Sequence, residues 1–552
     1  MSKTPDTLTE IEDMFAAPGF RKNQDAVTKE IVEALRGDYD VVVVSAPTGF
    51  GKSLALECAA QMMGPSYYTT PINALVDQLE DDEFLGDRIT PIKGRNNYDC
   101  VHPEDKGESV DNAICQRDDA FECEIKDEKC PYYSQKLLAQ EENVVATNLA
   151  FSMAESMVPD NPYKLGSRST LVVDECQSIE DFTMNFVGTT ISKNAVPSDV
   201  WTDIDIPDVD DESYPIERMV EWLHDEVMDV CRDMLTFYDS RPQLTKGQSD
   251  DKEKLQNFFR KLELLIEDIE ENEWVYQIDS DMKKNQRNER KAVFKPVYTG
   301  RFLNDLAWDR AENIILSSAT VPGGDWLNEI GLGDKKVKKI SVGHEFPVEN
   351  RPIIMDECVG KMTYKERKGT ALPMVRKIKE ISEHYEGQKG MVHCRAYSIA
   401  ELLKRTANNN GMGDWFRNNV QVQDSYNREE SLEKWTKNDK QLFFSVAMDE
   451  GIDLEGDLCR FQILAKVLYP SMADKRTDYR VSELNDWDWY NNKAAVQIQQ
   501  AYGRAVRSKE DWAHFYCLDS SAKGLIKRDA ELFQKWFLEA VQGIDVNPER
   551  GM

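Results

Sequence analysis

Four groups of residues have types and spacings that could do chemistry. Ala46-Pro47-Thr48-Gly49-Phe50-Gly51-Lys52-Ser53 has the form of a phosphate-cradling loop, GxxxxGK[ST], with Ala46 in place of the first glycine. Glycines let backbone N–H groups approach phosphate oxygens, and a helix starting behind them adds positive potential. Lys52 is expected to reach the β- and γ-phosphates and the Ser53 hydroxyl to ligate Mg2+. Such a loop needs carboxylates at the end of another strand, and Leu171-Val172-Val173-Asp174-Glu175-Cys176-Gln177 supplies them. Asp174 is expected to hold Mg2+ through water, and Glu175 to orient and deprotonate an attacking water. Near the other end lies Gln500-Ala501-Tyr502-Gly503-Arg504-Ala505-Val506-Arg507. Its arginines, three apart on one helix face, suit a γ-phosphate in transfer, because a guanidinium is planar and permanently charged. These three segments read together as a nucleoside triphosphatase. The fourth group is Cys100, Cys115, Cys123 and Cys130, spaced C-x14-C-x7-C-x6-C. Zinc ribbons pair their ligands as CxxC knuckles, which are absent here, and a looped iron–sulfur chelate suits the spacing better. At this level zinc and unliganded thiols stay open as alternatives.

The elements that must position these groups follow a parallel α/β rhythm. Asp40–Ser45, Thr170–Val173, Asn313–Ser317, Gly390–His393 and Gln441–Val446 read as buried strands alternating with helical patterns. Between Asp181 and Lys295 that rhythm breaks. Two long amphipathic patterns, Ile216–Tyr238 and Glu253–Ile269, follow an acidic loop at 201–215, so a mainly helical insertion is expected there.

Composition narrows the class. The chain has 552 residues, 41% hydrophobic and 30% charged, with 68 Lys and Arg against 100 Asp and Glu, a formal charge of −32. Such a chain is globular rather than wholly disordered. Its longest purely aliphatic run, Val41–Val44, is strand-sized, which excludes a spanning helix. The first residues lack an apolar signal core, so a cytoplasmic protein is expected; a monomer is expected as well. The net charge speaks against a sequence-independent nucleic-acid binder, yet a local basic track suffices for one. Lys283–Lys291 and Lys335–Lys339 are the densest basic runs.

The loop followed some 450 residues later by QxxGRxxR resembles superfamily 2 helicases. The intermediate segments agree in order: Tyr68-Thr69-Thr70-Pro71 resembles motif Ia, Ser317-Ser318-Ala319-Thr320 motif III, His393-Cys394-Arg395 motif IV, and Glu450-Gly451-Ile452-Asp453 with Gly456-Asp457 motif V. Phe20–Gln24 is placed like an adenine-reading element. The block Lys93-Gly94-Arg95-Asn96-Asn97-Tyr98-Asp99-Cys100 to Cys130-Pro131-Tyr132-Tyr133 narrows the resemblance to the XPD/DinG group of iron–sulfur DNA helicases. Gln177 stands where that group has His, Ala513 where it tends to have Gly, and Ser520 and Ser521 where it has Arg.

That resemblance implies two RecA-like parallel-sheet lobes with an inserted iron–sulfur domain and an Arch-like helical insertion. The expected divisions are lobe 1 at 1–94, 141–185 and 296–335, the cluster domain at 95–140, the insertion at 186–295 and lobe 2 at 336–552. It implies ATP held by Gln24, Thr48, Gly49, Gly51, Lys52, Ser53 and Asp453, catalysis by Lys52, Glu175, Gln500, Arg504 and Arg507, and Mg2+ on Ser53 and Asp174. It further implies a 4Fe–4S cluster on Cys100, Cys115, Cys123 and Cys130, and single-stranded DNA near Thr70, Arg95, Tyr98 and Arg395. The function implied is ATP-dependent 5′–3′ translocation and duplex unwinding in repair or replication. The rivals are an RNA-directed or protein-displacing translocase, including a CRISPR-associated DinG-like role, and a non-catalytic iron–sulfur DNA-binding accessory subunit.

Overall fold

Val41–Ser45 is buried along its whole length because it has neighbours on every side. Val41 and Val43 enter one apolar core and Val42 and Val44 the other, which is the two-residue period of a strand covered on both faces. A computed structural model describes the chain except residues 1–6, 119–120, 208–214, 282–288, 425–426, 447–453, 455, 505 and 507. Its first sheet has seven strands, in the spatial order Val337–Ser341, Val41–Ser45, Ala311–Ser318, Arg168–Asp174, Ser66–Thr70, Val144–Asn148 and Thr90–Pro91. The second sheet also has seven, in the order Val420–Val422, Leu442–Ser445, Gly390–His393, Phe461–Leu464, His514–Cys517, Ile353–Ile354 and Val541–Gln542. Every pairing in both is parallel. The two-lobed parallel architecture is the one expected.

Register does the positioning. Ser45 lies opposite Ser318, and Ser317 opposite Asp174, so three neighbouring strands end at one level. The ends of parallel strands are where α/β folds place their ligands.

One boundary needs correction. The boundary expected at 335/336 falls just before an edge strand of the first sheet, Val337–Ser341, which pairs with Val41–Ser45. Lobe 1 therefore runs past it, because the phosphate-loop strand needs a partner on that side. The insertion is not helical alone. Beside its helices it carries a three-stranded antiparallel sheet of Thr189–Ile191, Glu289–Pro296 and Trp274–Asp281. Its longest helix, Lys246–Ile269, starts in a capping box of Thr245 and Gln248. It buries Leu255, Phe258, Leu262 and Leu265 on one face, each burial stabilising by about 1.5–3 kcal/mol. Helices at Ile216–Trp222 and Asp229–Asp239 are continuous through a widened π turn, Leu223–Met228. Residues 208–214 of the acidic loop and 283–288 of the Lys283–Lys291 run lie outside the described residues. Among the described residues no helix is long and apolar enough to cross a membrane.

Candidate active site

The phosphate loop leaves the end of Val41–Ser45 and turns into helix Lys52–Met63. Gly49 and Gly51 sit at φ +85° and +81°, a region that favours glycine. A Cβ on Gly51 would also stand 2.7 Å from the Gln24 amide nitrogen. That amide donates to the Gly51 carbonyl at 2.8 Å, its oxygen accepts from Arg21 N–H at 2.9 Å, and Arg21 Nη1 donates to the Gly49 carbonyl at 2.5 Å. Gln24 is fully buried, and its amide braces the loop from behind. Lys52 Nζ donates to the Ala46 carbonyl at 3.3 Å, and the helix start places Ser53 one residue further on.

Asp174 ends its strand with both carboxylate oxygens engaged. Oδ1 accepts from Glu175 N–H at 3.0 Å and Oδ2 from the Tyr68 hydroxyl at 3.1 Å. Burial and the Glu175 charge push the Asp174 carboxyl up to about 6, against the pull of Lys52. Glu175 occupies the left-handed region at φ +51°, uncommon for a residue with a side chain. Gln177 bridges the carboxylates and Ser318. Its Nε2 donates to Glu175 Oε2 at 2.9 Å, and its Oε1 accepts from Ser318 Oγ at 2.5 Å. Ser318 Oγ in turn accepts from Thr320 N–H at 2.8 Å.

Lobe 2 supplies the opposite wall. Gln500 and Gln177 line one cleft of about 620 Å³, while Gly503 meets Thr48 in a small space beside it. Burial and Arg504 push the Arg395 guanidinium down to about 10, and burial with Arg395 and Arg504 takes His393 down to about 3. Arg395 is buried and donates to the Gln497 carbonyl at 2.8 Å, so it lies inside lobe 2 against the helix Trp487–Tyr502 rather than on an open surface. Thr70 is buried too, its hydroxyl donating to the Ile72 carbonyl at 3.0 Å. Asp453 and Arg507 lie outside the described residues.

The four clustered cysteines are free thiols, Cys100 and Cys130 buried, Cys115 and Cys123 partly exposed. Burial, then the neighbouring Cys115 and Cys130, raise the thiol pKa of both Cys100 and Cys123, so the four face a common region. In kind and number these donors fit an iron–sulfur cluster. Among the described residues, however, no His, Cys, Asp or Glu group is drawn together at metal-ligating distances. Tyr98 packs edge-on against Tyr132 with centroids 5.6 Å apart, and its hydroxyl accepts from Lys93 N–H at 3.1 Å. Arg95 donates to Gln116 and stands 3.9 Å from Glu253 of the insertion. Next to it a cavity of about 480 Å³ opens between lobe 1, the cysteine segment and the insertion. Asn148 donates to Asn73 and Asn73 to Asn97 at its wall, with Arg260 and Lys261 on the insertion side.

Residues 378–540 match the helicase C-terminal domain family. No curated protein sequence matches the chain. Among solved structures it is similar to an XPD helicase at 17% identity and TM-score 0.60, covering 93% of this chain and 98% of that one. It is also similar to Xpd4 of S. tokodaii at 14% identity and TM-score 0.58, covering 94% and 99%. For an apo XPD the identity is 16% and the TM-score 0.55, over 91% and 97%. The fold is XPD-like.

In this XPD-like frame three residues stand at the site that sequence reasoning left unassigned. Tyr68 reaches Asp174 as described. Glu180, on the helix after the carboxylates, is buried and meets four lobe-2 side chains. Arg476 Nη2 is 2.8 Å away, Trp489 Nε1 2.9 Å, Lys493 Nζ 2.9 Å and Arg480 Nη1 3.7 Å. Arg476 also donates to the Pro296 and Val297 carbonyls at 3.1 and 3.0 Å, where the insertion rejoins lobe 1. Gln534 of lobe 2 accepts from Ser45 Oγ at 2.5 Å and donates to the Val321 carbonyl at 2.9 Å. Its own N–H donates to Gln499, the residue before Gln500, at 2.7 Å.

Proposed function

We propose that the chain is an ATP-dependent helicase that moves 5′ to 3′ along single-stranded DNA. The observation that carries this reading is the in-register ending of three strands at Ser45, Ser318 and Asp174, with Gln177 joining Glu175 to Ser318. Lys52 and the loop amides bind the phosphates of ATP, and Ser53 with Asp174 would hold Mg2+, which neutralises charge on the transferring phosphoryl group. Glu175 orients the attacking water and takes its proton. Arg504 belongs to lobe 2 and the sequence assigns Arg507 the same role, so closing the cleft would complete the site and reopening it would follow product release. Gln177 makes motif III sense the carboxylate that handles the water.

Cys100, Cys115, Cys123 and Cys130 would hold a 4Fe–4S cluster, which would stiffen the segment at the edge of the asparagine-lined cavity. Neutral amides with Arg260 and Lys261 suit a strand of nucleic acid, since they bond phosphates and base edges alike. The acidic remainder of the surface confines phosphate attraction to such local tracks.

The test is ATP turnover with and without single-stranded DNA or RNA, followed by unwinding of 5′- and 3′-tailed duplexes. DNA-stimulated turnover with 5′-tailed unwinding is expected. Turnover indifferent to nucleic acid would overturn the reading, and stimulation by RNA alone would replace it with an RNA-directed translocase.

A further inference from the structure

Tyr68 stands in Ser66–Thr70, the strand beside the one that ends at Asp174, and in register with Val172, two residues before that carboxylate. Successive strand side chains point to opposite faces, so Tyr68 shares a face with Val172 and Val144 in the apolar layer under the phosphate-loop helix. Its ring is 1% exposed, and its hydroxyl is the one polar atom it carries. That hydroxyl comes out of the apolar layer at the metal site and donates to Asp174 Oδ2 at 3.1 Å. This tyrosine thus bonds directly to the carboxylate that the proposed function assigns to Mg2+.

We infer that Tyr68 is a positioning residue of the magnesium site. A carboxylate at a strand end can rotate. Here Glu175 N–H fixes one oxygen and the Tyr68 hydroxyl the other. Each carboxylate oxygen accepts more than one hydrogen bond, so both retain capacity toward a hydrated cation. The phenol therefore sets the angle at which Asp174 meets the metal and relieves the cost of burying its charge. Because a phenylalanine fills the same space, the hydroxyl can be removed with the packing left in place. Nucleotide without metal relies on the loop amides and Lys52, whereas the Tyr68 hydroxyl bonds to Asp174.

This inference rests on the ATPase reading, and one experiment separates their failures. A fluorescent ATP analogue is bound to the full chain, wild type and Tyr68→Phe, first without divalent ion and then across a Mg2+ titration. The expected result is equal affinity without metal and a roughly tenfold rise in the Mg2+ concentration at half-saturation for the variant, as loss of a hydrogen bond to a charged group implies. Superimposable Mg2+ titrations overturn the role of Tyr68. A wild-type chain that binds no nucleotide at any Mg2+ concentration overturns the ATPase reading instead. Should Tyr68→Phe fail to fold, Tyr68→Met, also free of a hydroxyl, decides the same comparison.

Discussion

Glu180 of lobe 1 and Lys493 of lobe 2, more than 300 positions apart in sequence, form an ion pair at 2.9 Å in which the carboxylate is buried and the ammonium partly exposed. Glu180 lies five residues beyond the candidate base Glu175 and on the helix that follows it. Burial by itself would raise the Glu180 pKa, but Lys493, Arg476 and Arg480 carry it well below the usual carboxylate range. The pair joins the helix Ile179–Val187 of one lobe to the helix Trp487–Tyr502 of the other. Through Arg476 it also reaches the base of the insertion.

Glu180→Gln leaves a buried cluster of lobe-2 cations short of their shared counter-charge. Removing one partner of such a group is costly, and a loss of about 3 kcal/mol is expected from denaturant unfolding. An unchanged midpoint would mean that water already compensates these charges.

The same carboxyl gives a pH dependence of known sign. Its folded pKa is depressed, so its contribution is complete above the unfolded value of about 4.3 and is lost as pH falls from there toward the folded value. The melting temperature of the wild type should therefore fall more steeply below about pH 4.3 than that of Glu180→Gln. Parallel melting curves would argue against the ion pair.

Lys52→Ala should lower ATP hydrolysis by about 10²–10³-fold with the fold intact, since the loop is braced by Gln24 and Arg21 rather than by Lys52. Phosphate release alongside a circular dichroism melt checks both parts.

Gln177→Ala severs the link between Glu175 and Ser318. Neither bond holds ATP itself. The expected effect is a fall of about tenfold in kcat with KM for ATP nearly unchanged, as for loss of hydrogen bonds made by a charged group.

A chain purified without oxygen should be brown and carry about four irons, and Cys115→Ser should lose the colour. Stoichiometric zinc in place of iron would sink the cluster assignment, and metal-free thiols would leave the segment to ordinary packing.

Much of this was legible in the sequence, and for physical reasons. Gly390–His393 was readable to the residue because a buried parallel strand is an unbroken apolar run between turn signals. The phosphate loop and the Asp174–Glu175 pair were legible because their chemistry is local, carried by a few contiguous residues. Val337–Ser341 was hidden because its lysines read as a basic surface run, although its backbone completes the first sheet. The sheet of the insertion was hidden by charged residues flanking the short run Ala292-Val293-Phe294 on the strand Glu289–Pro296. Tyr68 was visible within motif Ia, but its meeting with Asp174 depends on strand register, which no spacing in the sequence specifies. Glu180 and Gln534 escaped for the same reason, their partners being hundreds of residues away.

The placement of Val41–Ser45 between Ala311–Ser318 and Val337–Ser341 has a consequence for biosynthesis. The strand that launches the phosphate loop leaves the ribosome early, yet both of its hydrogen-bonding neighbours emerge only after the cysteine segment and the whole insertion. At roughly 5–20 residues per second, the nascent chain carries that strand unpaired for about 15–60 s. Val41–Val44 is then an exposed aliphatic β-segment, a natural client for a chaperone. Nucleotide binding thus becomes a late event in the life of each molecule, one that reports completion of lobe 1.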